Sequence, residues 1–141
     1  MNIIAIPFNM ERVRNEGASS SEEFRDWILK HGESFLHSIS NPQTGDILVF
    51  GWMKERGEWI FVGDAVVKGN HMSGSVDWCN CTKDDKEDYK RHIITGGLRI
   101  YPTSVSSKRI PSIKLLAFAQ IPSEDYFKII AESVSHWQKK Q

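Results

Sequence analysis

The sequence predicts an α+β domain that is mainly β, with helices flanking a sheet. Three features support this class: a strongly apolar β-hairpin near the middle of the chain, helical patterns before and after it, and several other apolar runs of strand length. The chain has 141 residues, of which 40% are hydrophobic, and this fits one domain, residues 1–141, with one hydrophobic core.

The predicted hairpin consists of residues 47–53 and 59–67. Both runs are rich in β-branched and aromatic side chains, and the charged link between them contains a glycine. Alternation along each strand gives two apolar faces, interrupted only by Asp64, which would share a face with Ile60 and Val62. We therefore expect this hairpin to lie at the centre of a sheet that is covered on both sides.

Before the hairpin, residues 2–8 read as a short strand. Ser20 and Glu23 have the spacing of a capping box, and the apolar residues that follow repeat at helical intervals, so a helix is predicted over about 21–31. Residues 33–39 are predicted to form one or two further helical turns.

After the hairpin, residues 69–88 are polar and rich in glycine and aspartate, which predicts a long excursion. Residues 89–105 regain strand character, but Gly96-Gly97 indicates a bulge or a break, so one bent strand and two short strands fit equally well. A further apolar strand is expected over 113–120. The last helix is expected to begin after Pro122.

Charge and composition limit the partners that this chain can have. Lys and Arg together number 18, as do Asp and Glu, so no net positive field attracts a polyanion, and any nucleic acid must be held by local features. No apolar run approaches the length of roughly 20 residues needed to cross a bilayer, so no membrane partner is expected. The N-terminal segment lacks the pattern of a secretory signal, and a cytoplasmic location is therefore expected.

Three stretches resemble a known family. Gly45-Asp46 opens the apolar run GDILVFGW, the run VGDAVV follows at residues 62–67, and AQIPSEDY at residues 119–126 joins a strand to a helix at a proline and two acids. In this order they are similar to the PUA-like superfamily, and specifically to its EVE-type domains, which are related to the YTH readers. The resemblance implies a mostly antiparallel β-barrel with flanking α-helices and a pocket that accepts a nucleobase, often a modified one.

The candidate ligand-binding residues are aromatic and polar. Aromatic rings stack on bases without needing a basic surface, although tryptophan is also a common core residue. Amide, hydroxyl and carboxylate groups can form hydrogen bonds to the edge of a base. For Asn9 the alternative is a role in turning the chain, and for Asp64 it is an exposed position on the strand. These candidates are Trp27, Trp52, Trp59 and Trp78 for stacking and Asn9, Ser34 and Asp64 for recognition of the base edge.

Basic residues of the second half alternate with apolar strand residues and are candidates for contacts to a nucleic-acid backbone. The alternative is that they form the solvated face of a sheet. They are Arg91, Arg99, Lys108 and Arg109.

Catalysis and metal binding are not predicted. His71, Cys79, Cys81 and His92 are residue types that bind zinc, but their spacing matches no standard zinc motif, and two reduced cysteines are the simpler expectation. The chain contains no nucleophile elbow, phosphate loop or metalloprotease helix, so neither an enzyme nor a cofactor is expected. The first hypothesis is a noncatalytic nucleic-acid-binding domain that accommodates a base in an aromatic-lined pocket. The alternatives are a small-ligand or protein-interaction module on the same barrel and, less favoured, a metal-dependent enzyme.

Overall fold

The computed structural model describes residues 1–8, 20–31, 34–36, 42–55, 58–72, 91–110 and 119–138. At residues 7, 8, 31, 34–36, 55, 70–72, 91–94, 119 and 136–138 the description is of the backbone alone. The strands are β1 (Ile3–Phe8), β2 (Ser34–Leu36), β3 (Ile47–Glu55), β4 (Glu58–Met72), β5 (Arg91–Ser106) and β6 (Ala119–Gln120). The helices are α1 (Ser21–His31) and α2 (Ser123–Gln138), with a short 3₁₀ helix at Ser107–Arg109.

These strands form one mixed sheet in the order β2-β5-β4-β3-β1-β6. The β1 and β3 strands are parallel, and the other neighbours are antiparallel. The prediction of a mainly β, α+β fold is confirmed. Within the described ranges the sheet is open, with β2 and β6 at its edges, so the barrel implied by the family resemblance is not confirmed.

A hydrophobic cluster lies on each face of the sheet. On one face α1 packs Phe24 and Ile28 against a cluster that includes Leu48 and Phe50 of β3. On the other face α2 packs Ile129 against a cluster that includes Val49. Because neighbouring residues of β3 enter opposite clusters, the predicted central hairpin with two covered faces is confirmed.

A β-bulge changes the direction of side chains in β4. Phe50 pairs with Gly63, but the next residue of β3, Gly51, pairs with Phe61, so Val62 is an extra residue in β4. Val62 packs on the α1 side, whereas Asp64 bonds to tyrosines of the cluster on the α2 side. The prediction that Asp64 shares a face with Val62 is therefore wrong, because simple alternation does not hold across a bulge.

The Gly45-Asp46 pair has a structural role at the start of β3. Gly45 adopts φ +94°, a conformation that favours glycine. The buried Asp46 carboxylate accepts hydrogen bonds from the backbone N–H of Asn2 and of Gln43, both at 2.9 Å. This residue pair thus joins the start of β1 to the turn that enters β3.

The other elements agree with the sequence in most places. The β1 strand and both helices lie where they are predicted, and the backbone N–H of Glu23 donates to Ser20 Oγ at 3.2 Å, as a helix cap requires. The helical turns predicted over 33–39 are wrong at residues 34–36, because this segment pairs with β5 as strand β2. Neither helix among the described residues has both the length and the apolar character needed to cross a membrane.

Strands β4, β5 and β6 differ in part from their predicted bounds. The β4 strand runs to Met72, beyond the predicted end at residue 67, so residues 69–72 of the predicted excursion belong to this strand. The β5 strand is one bent strand, with a register shift at 96–99 and φ +62° at Gly97. Of the strand predicted over 113–120, only Ala119–Gln120 falls within the described residues, where it forms β6.

Candidate functional site

A hydrogen-bonded polar network lies between the sheet and α2, centred on Asp64. Its carboxylate oxygen Oδ2 accepts hydrogen bonds from the hydroxyls of Tyr101 at 2.8 Å and Tyr126 at 2.9 Å, and from the Arg99 guanidinium at 2.9 Å. The Arg99 guanidinium also donates to the Tyr126 hydroxyl at 2.7 Å. The network therefore joins β4, β5 and α2 through one buried carboxylate.

Burial and hydrogen bonding determine the protonation of this network. Burial, together with the neighbouring Asp64 charge, raises the pKa of Tyr101 far above its ordinary value. Burial and the hydrogen bond to Asp64 raise the pKa of Tyr126 to about 12. The hydrogen bond to Asp64 also raises the pKa of Arg99. Both tyrosines are thus held as neutral donors, and the guanidinium stays charged.

The Arg99 side chain combines a fixed position with access to solvent. Its exposed fraction is 52%, whereas that of its partner Asp64 is 7%. A guanidinium presents five N–H donors, and only one of its nitrogens is used in these contacts. Arg99 can therefore bind an anion while its orientation is held by the carboxylate beneath it.

The structure thus brings together Asp64 and Arg99, two of the predicted site residues. Sequence analysis missed the two tyrosines as polar partners. A signal for them was present, because a carboxylate within an apolar strand needs donors once it is buried, and tyrosine can supply one from an apolar position.

The three tryptophans whose side chains are described do not converge on one pocket. Trp52 is 3% exposed and packs in the cluster beneath α1, where its ring lies 5.4 Å from that of Phe24. Trp59 is 2% exposed and packs in the cluster on the α2 side. Trp27 is half-buried and stacks on Phe24 with ring centroids 5.9 Å apart. One cavity cannot hold both Trp52 and Trp59, since the sheet separates their rings.

The other basic candidates lie apart from this network, or their side chains are not described. Lys108 is exposed, and its ammonium lies 3.6 Å from the carboxylate of Glu58, which is also buried. A hydrogen bond from the Ser106 hydroxyl and the neighbouring lysine charges lower the pKa of Glu58. Arg109 is exposed at the end of the 3₁₀ helix. Arg91 is described only by its backbone, in β5.

Several candidates cannot be compared with the structure. Asn9, Trp78, Cys79 and Cys81 lie outside the described residues, and Ser34 is described only by its backbone, in β2. His71 and His92 pair directly across β4 and β5, as judged from their backbones. Among the residues whose side chains are described, no group of three potential ligands is placed to hold a metal ion.

An open groove of about 280 Å³ lies on the opposite face, between α1 and β5. It is lined by Glu22, Arg25, Asp26 and Leu29 of α1 and by Ile100 of β5. Arg25 donates to the backbone carbonyl of Tyr101 at 2.8 Å. The two carboxylates would repel a phosphate, so this groove does not extend the anion-binding capacity of Arg99.

Comparison with known proteins adds no family to this description. The chain matches no protein-family model, and it matches no curated protein.

Proposed function

We propose that this chain is a noncatalytic domain that binds single-stranded nucleic acid, with Arg99 as a contact to the phosphate backbone. The observation that carries the proposal is the Arg99 guanidinium, which is half-exposed and held by the buried Asp64. A pre-oriented guanidinium loses little conformational freedom on binding an oxyanion, and arginine suits phosphate because its planar fork donates two hydrogen bonds.

The proposal includes the PUA-like, EVE-type fold, which is supported by the sequence resemblance alone. It also includes recognition of a base, possibly a modified one. Trp52 and Trp59 are too buried to stack on a base unless the core opens, so their contribution is to hold the fold. Recognition of the base must then involve rings that reach solvent.

The neutral net charge shapes the expected behaviour. The net charge of zero gives no overall attraction for a polyanion, so binding depends on a few local contacts. Affinity falls as salt rises, and the slope of log affinity against log salt increases with the number of phosphates contacted. A protein-interaction module on the same fold remains the alternative if no nucleic acid binds.

The test is a salt titration of oligonucleotide binding, followed by fluorescence anisotropy, with single-stranded DNA and RNA that carry plain and modified bases. Removing one phosphate contact by Arg99→Gln should weaken binding and reduce the slope of log affinity against log salt by about 0.7. Arg99→Lys keeps the charge but not the fork, so it should keep most of the slope and lose part of the affinity.

Lys30→Gln is the matched control, because Lys30 is an exposed cation on α1, on the opposite face of the sheet. Its loss should leave both affinity and slope unchanged. Circular dichroism and thermal unfolding of each variant separate binding from folding. If no oligonucleotide gives saturable binding, or if the Lys30 and Arg99 variants behave alike, the proposal is wrong.

A further inference from the structure

Phe127 is a large aromatic side chain that the fold leaves in solvent. Its exposed fraction is 66%, although it directly follows the buried Tyr126 in α2. A single exposed apolar side chain is ordinary on a protein surface and by itself indicates nothing. Phe127 differs in its position, because its neighbour on α2 forms part of the network that holds Arg99.

The geometry of this position links the ring to the guanidinium. The Phe127 and Tyr126 ring centroids lie 6.1 Å apart, with their planes tilted by 47°. At the far end of the Tyr126 ring, the hydroxyl receives the hydrogen bond from Arg99 at 2.7 Å. Tyr126 thus contacts both an exposed aromatic ring and a half-exposed, fixed cation. These two contacts keep Phe127 and Arg99 close enough for a short single strand of nucleic acid to reach both.

The charges around Phe127 are mixed. Lys128 is 62% exposed, and its ammonium lies 3.7 Å from the Asp125 carboxylate. Glu124 and Glu132 are exposed on the same helix. Because acidic and basic side chains occur together, this surface does not attract phosphate strongly. Ring stacking would have to supply the affinity that charge does not.

We propose that Phe127 is the base-stacking residue of this domain, and that the base lies on the outer surface of α2 with the phosphate on Arg99. This inference rests on the proposed function and gives it a location. Its ligand is a nucleobase of a single strand, recognised through its π-face, so binding should tolerate changes of base better than loss of the base.

The test pairs variants of Phe127 with an oligonucleotide that lacks bases. The probe is a short single-stranded oligo(dA), compared with an abasic strand of equal length. Phe127→Ala should weaken binding of oligo(dA) by about five- to a hundredfold, the usual effect of losing one stacking ring. Phe127→Leu should lose as much, since it is apolar but has no ring, and Phe127→Trp should keep or increase the affinity.

Binding of the abasic strand shows whether Phe127 acts by stacking on a base. Wild-type protein should bind it about as weakly as Phe127→Ala binds oligo(dA), and Phe127→Ala should cause no further loss on the abasic strand. Leu29→Ala is the matched control, since Leu29 is 60% exposed and belongs to α1 on the other face. If oligo(dA) binds and requires Arg99 but Phe127→Ala binds as the wild type does, this inference is wrong and the proposed function survives. If oligo(dA) does not bind the wild type, this inference is wrong, and the salt titration with plain and modified DNA and RNA decides the proposed function separately.

Discussion

At the scale of the residue, Asp64 shows how a charged group is accommodated inside an apolar strand. A buried carboxylate is costly unless it is paired and hydrogen-bonded. Here one cation and two hydroxyls all donate to the same oxygen, Oδ2. The arrangement satisfies the buried carboxylate of Asp64 and at the same time fixes the position of Arg99, the side chain that we propose to contact phosphate.

The tyrosines of this network predict how stability responds to alkaline pH. The pKa of Tyr126 is about 12 in the folded protein against 10.0 for an ordinary tyrosine, so the unfolded chain loses this proton first. The contribution of Tyr126 to stability is therefore fully present below pH 10.0 and is lost as the pH rises toward about 12. Tyr101, whose pKa is also raised, should act in the same direction.

The measurement is the free energy of unfolding by denaturant across this pH range, with phenolate absorbance recorded in parallel. We expect Tyr126→Phe to show a shallower loss of stability than the wild type, because the variant has no proton to lose at this position. Groups outside the Asp64 network that titrate in the same range contribute equally to both proteins. Parallel curves for the two proteins would show that Tyr126 ionises alike in the folded and unfolded chain.

At the scale of the element, the bulge in β4 determines which face receives Asp64. Gly63 follows the extra residue and lies where β5 approaches closely. A Cβ atom at Gly63 would lie 2.5 Å from the backbone oxygen of Arg99, which cannot be accommodated without moving the strand. The close approach of β4 and β5 at this point therefore requires glycine.

This contact gives a prediction about stability. Gly63→Ala should lower the free energy of unfolding by about 1 to 3 kcal/mol, because the added methyl group displaces backbone. Gly96→Ala is the matched control. Its Cβ would meet Lys68 Cε at 2.7 Å, but Lys68 is an exposed, flexible side chain that can move aside. Gly96→Ala should therefore change stability by less than about 0.5 kcal/mol, as surface substitutions usually do. Equal effects in denaturant unfolding would contradict this account of the bulge.

Much of this arrangement could be predicted from local sequence patterns. The hairpin was predictable because both faces of its strands are apolar, and α1 because Ser20 caps an apolar repeat of helical period. The face of Asp64 could not be predicted in this way. A glycine inside a strand, such as Gly63, is compatible with a bulge, but only the pairing with β3 shows which residue is extra. Strand β2 was missed because its three residues form a strand by pairing with β5, and their own pattern does not favour one.

At the scale of the whole molecule, the sheet separates residues that the sequence suggests could act together. Trp52 and Trp59 lie close in the hairpin but pack on opposite faces, so their number and proximity along the chain did not indicate a shared pocket. Arg99 and Asp64 lie 35 positions apart but meet at 2.9 Å, because β4 and β5 are neighbours in the sheet. Phe127 is not among the predicted site residues, although the helical period that places Tyr126 and Ile129 in the core leaves Phe127 on another face of α2.

The proposed site lies on the α2 side, and a nuclear magnetic resonance titration of the whole chain with single-stranded oligo(dA) tests this location most directly. We expect the Phe127 ring protons to move upfield under a stacked base and the Arg99 Nε–H signal to shift along the same binding curve. The indole N–H signals of Trp52 and Trp59 and the methyl signals of Leu29 should stay in place. Shifts of the two indoles with unchanged Phe127 and Arg99 signals, or no shifts at all, would contradict the account.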